Sequence, residues 1–121
     1  MIELLVVISI MGILLALSVF GMQDARRASR DGKRKADIEQ VRSALEMYKS
    51  DCGTYPLSVT FGTGSIVASC PTSNTYLNPV PQDPLTPARS YSYTSDGNTY
   101  TITASLEQGG SYTSSVARRV Q

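Results

Sequence analysis

This chain has no histidine, no tryptophan and only two cysteines in 121 residues. Each shortage removes a class of chemistry. Without histidine, a serine or cysteine nucleophile lacks its usual general base. Two cysteines and no histidine do not supply the ligands of a structural zinc site. The glycines form neither a phosphate loop nor a dinucleotide fingerprint. Formal charge is nearly balanced at +1, which points to neither a nucleic-acid coat nor an acidic substrate. No catalytic constellation is visible, and the chain reads as a non-enzyme without a cofactor.

Charge is also missing locally. From Leu4 to Met22 there are 19 residues without a charged side chain. As a helix they span roughly 28 Å, close to the hydrocarbon thickness of a bilayer. Leu4, Leu5, Val6, Val7, Ile8, Ile10, Ile13, Leu14, Leu15, Leu17, Val19 and Phe20 make up its apolar surface. One carboxylate, Glu3, stands at its start. A carboxylate in that setting is costly in lipid and needs a partner. The next basic residue, Arg26, lies about six helical turns away. The partner is therefore expected from a neighbouring subunit. A cleaved signal peptide is the rival reading, with Ala16-Leu17-Ser18 as a weak cleavage site. The run is longer than the usual signal core of about 7–15 residues, lacks a basic start and carries Glu3.

The helical pattern continues past Met22. Residues 23–50 contain no proline, and Ile38, Val41, Leu45 and Tyr48 fall on one helical face with Ala44 beside them. Asp37, Glu39, Gln40, Arg42, Glu46 and Lys49 take the other sides. The spacing predicts one helix over 2–50, apolar all round in its first half and amphipathic in its second. Gly12, Gly21 and Gly32 weaken it by about 1 kcal/mol each, so local melting near Gly12 or Gly21 is open. Gly53 suits a helix C-terminus and Pro56 prevents a restart.

Residues 57–88 show little periodicity and hold prolines at 71, 79, 81, 84 and 87. They read as an irregular loop with room for one short turn of helix. Such a loop needs pinning. Cys52 and Cys70, 18 positions apart, could close a disulfide loop worth roughly 3 kcal/mol. A small domain in an oxidising compartment gains most from such a staple. Two free buried thiols are the alternative.

The last third alternates. Tyr91, Tyr93 and Ser95 share one face, opposite Ser92 and Thr94. Asp96-Gly97 marks a two-residue hairpin turn. Beyond it Tyr100, Ile102, Ala104 and Leu106 share one face, with Thr99, Thr101 and Thr103 on the other. Gln108-Gly109-Gly110 is a second turn, and Tyr112 to Val116 a third strand. The expected fold is α+β: a small three-stranded antiparallel sheet packed on the stripe of the long helix.

Three stretches carry a family resemblance. Ile2-Glu3-Leu4-Leu5-Val6-Val7-Ile8 resembles the N-terminal signature of type IV pilins and type II secretion pseudopilins. Leu45-Glu46-Met47-Tyr48-Lys49-Ser50-Asp51-Cys52-Gly53-Thr54-Tyr55-Pro56 is similar to the pseudopilin pattern at the end of this helix, with Cys52 where asparagine is usual. Tyr76-Leu77-Asn78-Pro79-Val80-Pro81-Gln82-Asp83-Pro84 is similar to the segment that leads into the sheet. The resemblance implies a pilin-like fold, with residues 1–22 a transmembrane and filament-core helix. Residues 23–121 become a soluble domain made of helix 23–50, loop 51–88 and sheet 89–118. It implies that Glu3 pairs with the N-terminal amine of an adjacent subunit during assembly of a homo-oligomeric helical filament. Membrane lipid holds the chain before assembly, and the C-terminal domain lies outside the cytosol. The family's proline near the end of the apolar half is absent, the matching position being about Phe20.

The family also carries a leader peptide, cut off ahead of a phenylalanine that becomes the N-methylated end. Met1 stands where the family has leucine, and leucine triplets can serve as start codons. The expectation is a product that begins upstream, with prepilin peptidase and inner-membrane assembly machinery as partners. A minor pseudopilin of a secretion or DNA-uptake machine is the alternative role. A membrane-tethered module whose sheet binds sugar or DNA is a third.

The basic run Arg26, Arg27, Arg30, Lys33, Arg34 and Lys35 has three readings. It could flank a membrane helix on the cytoplasmic side, bind anionic lipid or nucleic acid, or form a solvated face paired with Asp24, Asp31 and Asp37. The third is favoured, and DNA is a less favoured partner. Tyr48, Tyr91, Tyr93 and Tyr100 read as core or core edge rather than a stacking platform. Some pseudopilins bind calcium between their terminal strands. Asp83, Asp96, Asn98 and Glu107 are the candidates here, but they lack the clustered spacing of a calcium loop, and the expectation is no metal.

Overall fold

The computed structural model describes residues 1–116. Helix α1 (Ile2–Cys52) is followed by β1 (Ile66–Ser69), β2 (Ser73–Leu77), β3 (Ser92–Ser95), β4 (Tyr100–Ser105) and β5 (Ser111–Val116). At the usual rise α1 is about 75 Å long. It runs unbroken through Gly12, Gly21 and Gly32. It stops because Gly53 turns to a positive φ of 76° and donates its N–H to the Lys49 carbonyl at 2.7 Å. Glycine adopts that left-handed geometry without a Cβ penalty.

Only the second half of α1 serves a core. Ile38, Val41, Ala44 and Leu45 are buried, and Tyr48 packs at the edge. Their mate is one face of β4, where Tyr100, Ile102 and Ala104 are buried while Thr101 and Ser105 are exposed. The period of two along the strand meets the three-and-four spacing along the helix. The strands run antiparallel in the order β3-β4-β5 with continuous register, Ser92 opposite Thr103 and Thr103 opposite Thr113. This is an α+β, pilin-like architecture.

Two details differ from expectation. The segment 57–88 is not wholly irregular, because β1 and β2 form an antiparallel hairpin within it. Ile66 and Ala68 alternate into the core while Val67 faces solvent. The connection after β3 spans Asp96 to Thr99 rather than two residues. The Asp96 carboxylate accepts the N–H groups of Asn98 and Thr99 at 2.9 and 2.6 Å, and the Asp96 N–H meets the Thr99 carbonyl. Tyr55 and Val80, from the connecting segments, complete the core. The expected sheet limit at residue 118 and the domain limit at residue 121 lie outside the described residues.

Candidate functional site

Among the described residues, the first 28 residues of α1, Ile2 to Ser29, touch no other part of the domain closely enough to be covered; every one is exposed. Leu4, Leu5, Val6, Val7, Ile8, Ile10, Ile13, Leu14, Leu15, Leu17, Val19 and Phe20 are each more than half exposed. Among the described residues α1 is the one helix long and apolar enough to cross a membrane. The two hydroxyls within its apolar stretch, Leu4 to Met22, do not spoil that surface. Ser9 and Ser18 donate back to the Leu5 and Leu14 carbonyls at 2.7 and 2.8 Å, which satisfies both groups within the rod. Glu3 sits in the first turn, where the helix dipole favours a carboxylate. Among the described residues it has no ion-pair partner.

At the other end, Cys52 and Cys70 form a disulfide with Cα atoms 5.2 Å apart. Cys52 is the last helical residue and Cys70 follows β1 directly. The bridge ties the hairpin to the helix end. Tyr76 reinforces this by packing edge-on against Tyr48, with ring centroids 5.9 Å apart, and by donating its hydroxyl to the Asp51 carboxylate.

The rod leaves the domain at a buried ionic cluster that sequence reasoning missed. Arg34 is fully buried. Its guanidinium donates to both Asp83 oxygens at 2.7 and 2.9 Å, to Asp31 at 2.7 Å and to Glu107 at 2.9 Å. Arg30 forks onto Glu107 with two bonds of 2.6 Å. Asp31 in turn accepts the Glu107 and Gln108 N–H groups at 2.9 and 3.1 Å. The cluster fastens the approach to the sheet, through Asp83, and the β4–β5 turn, through Glu107, onto one helical turn.

The electrostatics follow from these contacts. Burial alone would raise the Asp31 carboxyl, but the two backbone N–H bonds and Arg34 outweigh it and hold it below the ordinary range. Burial likewise opposes Asp83, and Arg34 with the Leu85 N–H overcomes it. The hydrogen bond from Arg30 leads in bringing Glu107 down to about 2, with Arg34 adding to it. Asp83 and Glu107, two of the calcium candidates, are thus engaged by guanidinium groups, and Asp96 by the backbone of its own turn.

The basic run is therefore partly buried rather than a wholly solvated face. Its pairings include Arg27 with Asp24 at 3.7 Å, Lys33 with Asp37 at 3.8 Å and Arg34 with Asp31. Asp37 is itself buried and accepts the Tyr91 hydroxyl at 2.7 Å. A signal for this was present. Asp31, Arg34, Ile38, Val41, Leu45 and Tyr48 follow one another at three-and-four spacing. The two charged residues continue the apolar stripe, and a charge on that stripe is buried and must be paired.

Comparison with known proteins agrees with this geometry. Residues 21–117 match the family described as Type II secretion system (T2SS), protein G. The chain is similar to the type II secretion system core protein G of Pseudomonas aeruginosa, with 33% identity over 125 aligned residues covering 92% of this chain and 85% of that protein. No solved structure matches it. An exposed apolar rod on a pinned α+β head, together with these matches, places the chain in the type II secretion system protein G family, as a pseudopilin, a filament subunit of the secretion pseudopilus.

Proposed function

We propose that copies of this chain assemble with one another through the rod, residues 1–22, while residues 23–121 form the head displayed around it. The observation that carries this is the rod's complete exposure: among the described residues, nothing covers the long apolar stretch. Water does not tolerate such a surface. Lipid covers it before assembly, and identical helices cover it afterwards. Glu3, alone among apolar side chains, meets the N-terminal amine of a neighbouring copy, so register and charge neutralisation come from one contact.

The Cys52–Cys70 bridge supports a head that folds outside the cytosol, since reducing compartments do not maintain such bonds. The route is insertion in the cytoplasmic membrane, then extraction into a filament. Other secretion-system components, an inner-membrane assembly machine among them, supply the energy. A processed N-terminus would add prepilin peptidase to the partners. Among the described residues Arg27, Arg30, Lys33 and Arg34 are paired within the chain, which weighs against a DNA-binding role for this run. Electron microscopy of the full-length chain, expressed at high level with its assembly machinery, tests the proposal. Filaments containing the chain are expected, and none under those conditions would remove it.

A further inference from the structure

The two outer edges of the three-stranded sheet differ in length: β3 has four residues and β5 six, and the segment after the helix lies beside the turn that follows β3. Tyr55 donates its N–H to the Gly97 carbonyl at 2.7 Å, and the Tyr93 hydroxyl reaches the Pro56 carbonyl at 2.6 Å. These contacts hold the segment after the helix at the turn end of β3, and β3 itself, at four residues, offers a short edge. On the far side β5 pairs with β4 over six residues with no bulge. Among the described residues, nothing hydrogen-bonds to the outer edge of β5 through the backbone.

Every second residue of an edge strand turns its N–H and C=O away from its partner strand, which makes the edge a template for another strand. Natural edges are usually blunted by lysine, proline, a bulge or extreme shortness. Ser111-Tyr112-Thr113-Ser114-Ser115-Val116 has none of these. The core is also unfinished there. Tyr100, Ile102 and Ala104 of β4 are buried, but Tyr112 and Val116 beside them on the same face are only half-buried. One more strand would cover both. The strand is held ready, because Tyr112 donates its hydroxyl to Glu39 of the helix at 2.8 Å.

We propose that in the filament β5 accepts a strand from a neighbouring copy of this chain, the donor being β2 of the β1–β2 hairpin. This rests on the filament reading. A filament needs a heterologous contact, two different surfaces that meet head to tail, because a self-complementary contact closes into a dimer. β5 and β2 are such a pair. β2 pairs only with β1 among the described residues, and its Ser73, Asn74 and Thr75 are exposed and uncharged. The disulfide and the Tyr76–Asp51 bond hold it in place on the helix end. Rods packed side by side raise the local concentration of heads, so edge pairing follows without high affinity between free heads. Main-chain bonds supply the attraction, and the small hydroxyl side chains impose no clash.

The test uses the full-length chain in membranes that carry its assembly machinery. Thr113→Lys combined with Ser115→Lys places two charges on exposed positions of β5. Sheared filament is expected to fall about tenfold or more, with thermal unfolding of the detergent-solubilised chain unchanged. Filament at wild-type yield from this variant would overturn the inference and leave the filament reading intact. A second variant, Thr113→Cys with Asn74→Cys, is oxidised in the membrane. Ladders of cross-linked copies are expected, and neither single variant is expected to form more than dimers. Absence of ladders in the double variant overturns the inference, as does capture of a different protein by Thr113→Cys in place of a copy. Wild-type chain that makes no filament at all removes the filament reading, and the cross-link between membrane-held copies still decides the edge.

Discussion

Arg34 and Asp83, 49 positions apart, meet through a two-bond fork of 2.7 and 2.9 Å at the point where the rod leaves the head. Both side chains are essentially out of water. Bidentate pairs of this kind add geometric specificity to their charge-assisted strength. Here the pair fixes where the loop after the hairpin docks on the helix, and so where the sheet sits relative to the rod.

Removing one partner of a buried pair leaves the other charge uncompensated, which typically costs about 3–5 kcal/mol. Arg34→Met, in a fragment beginning at residue 24, is therefore expected to lose stability of about that size in urea unfolding. Asp31 and Asp83 would both lose their cation. Lys35→Met, one residue along and exposed, is the control and is expected to change stability by less than about 0.5 kcal/mol. Equal effects from the two variants would contradict the clamp.

The same cluster sets the acid limit. The folded-state values of Asp31, Asp83 and Glu107 lie below their ordinary ones, with Glu107 at about 2. Depressed carboxyls contribute fully above their unfolded values, near about 4, and that contribution is lost as pH falls through the folded values. Head stability is expected to hold above about pH 5 and to decline steadily toward pH 2. At the other extreme, burial and Glu46 push the Tyr55 phenol up to about 12. Its neutral form favours the fold, so stability is expected to fall as pH rises from about 10 toward 12. Chemical denaturation across pH checks both limbs, and a flat acid limb would count against the cluster.

Reduction of Cys52–Cys70 is expected to destabilise the head by about 2–4 kcal/mol, the range for a loop of this length. The hairpin it anchors supplies Ile66 to the core. Loss is therefore expected first in β1 and β2, seen as faster amide exchange there than in β4. Two free thiols in native, non-reduced protein, found by mass spectrometry, would remove both the staple and the argument for folding outside the cytosol.

How much of this was legible in the sequence depends on the kind of signal. Ile38, Val41 and Leu45 announced their face through helical spacing, and Tyr100, Ile102 and Ala104 through strand alternation; all six are buried. Both signals are local and periodic. The hairpin escaped because its strands of four and five residues lie in a proline-rich stretch, with Pro71 between them and no turn signal like the Asp96-Gly97 that flagged the equally short β3. Arg34 escaped for a different reason. Its partners Asp83 and Glu107 lie 49 and 73 positions away, so only tertiary structure reveals that its charge is met. Tyr55 and Val80 belong to connecting segments, where burial has no local pattern. For Glu3 the sequence says more than the fold of one chain does, because its expected partner belongs to another copy.

Glu3 carries the last prediction. It stands in the first turn of a rod whose neighbouring side chains, Ile2, Leu4 and Leu5, are apolar and exposed. Within one chain the helix dipole, worth about 0.3–1 kcal/mol at a helix start, is its sole support among the described residues. Between stacked copies a neighbour's amine would neutralise it in an apolar setting, where an unmatched charge is far more costly. Glu3→Ala removes the attraction and also the penalty, so the rod should still enter membrane and the head should still fold. Sheared filament is expected to drop several-fold while membrane-bound chain stays constant. Glu3→Gln keeps the shape without the charge and is expected to follow Glu3→Ala, whereas Glu3→Asp should retain part of the yield. Filament at wild-type level from Glu3→Ala, measured beside equal amounts of membrane-inserted chain, would remove the assembly role and leave Glu3 as a helix-start carboxylate alone.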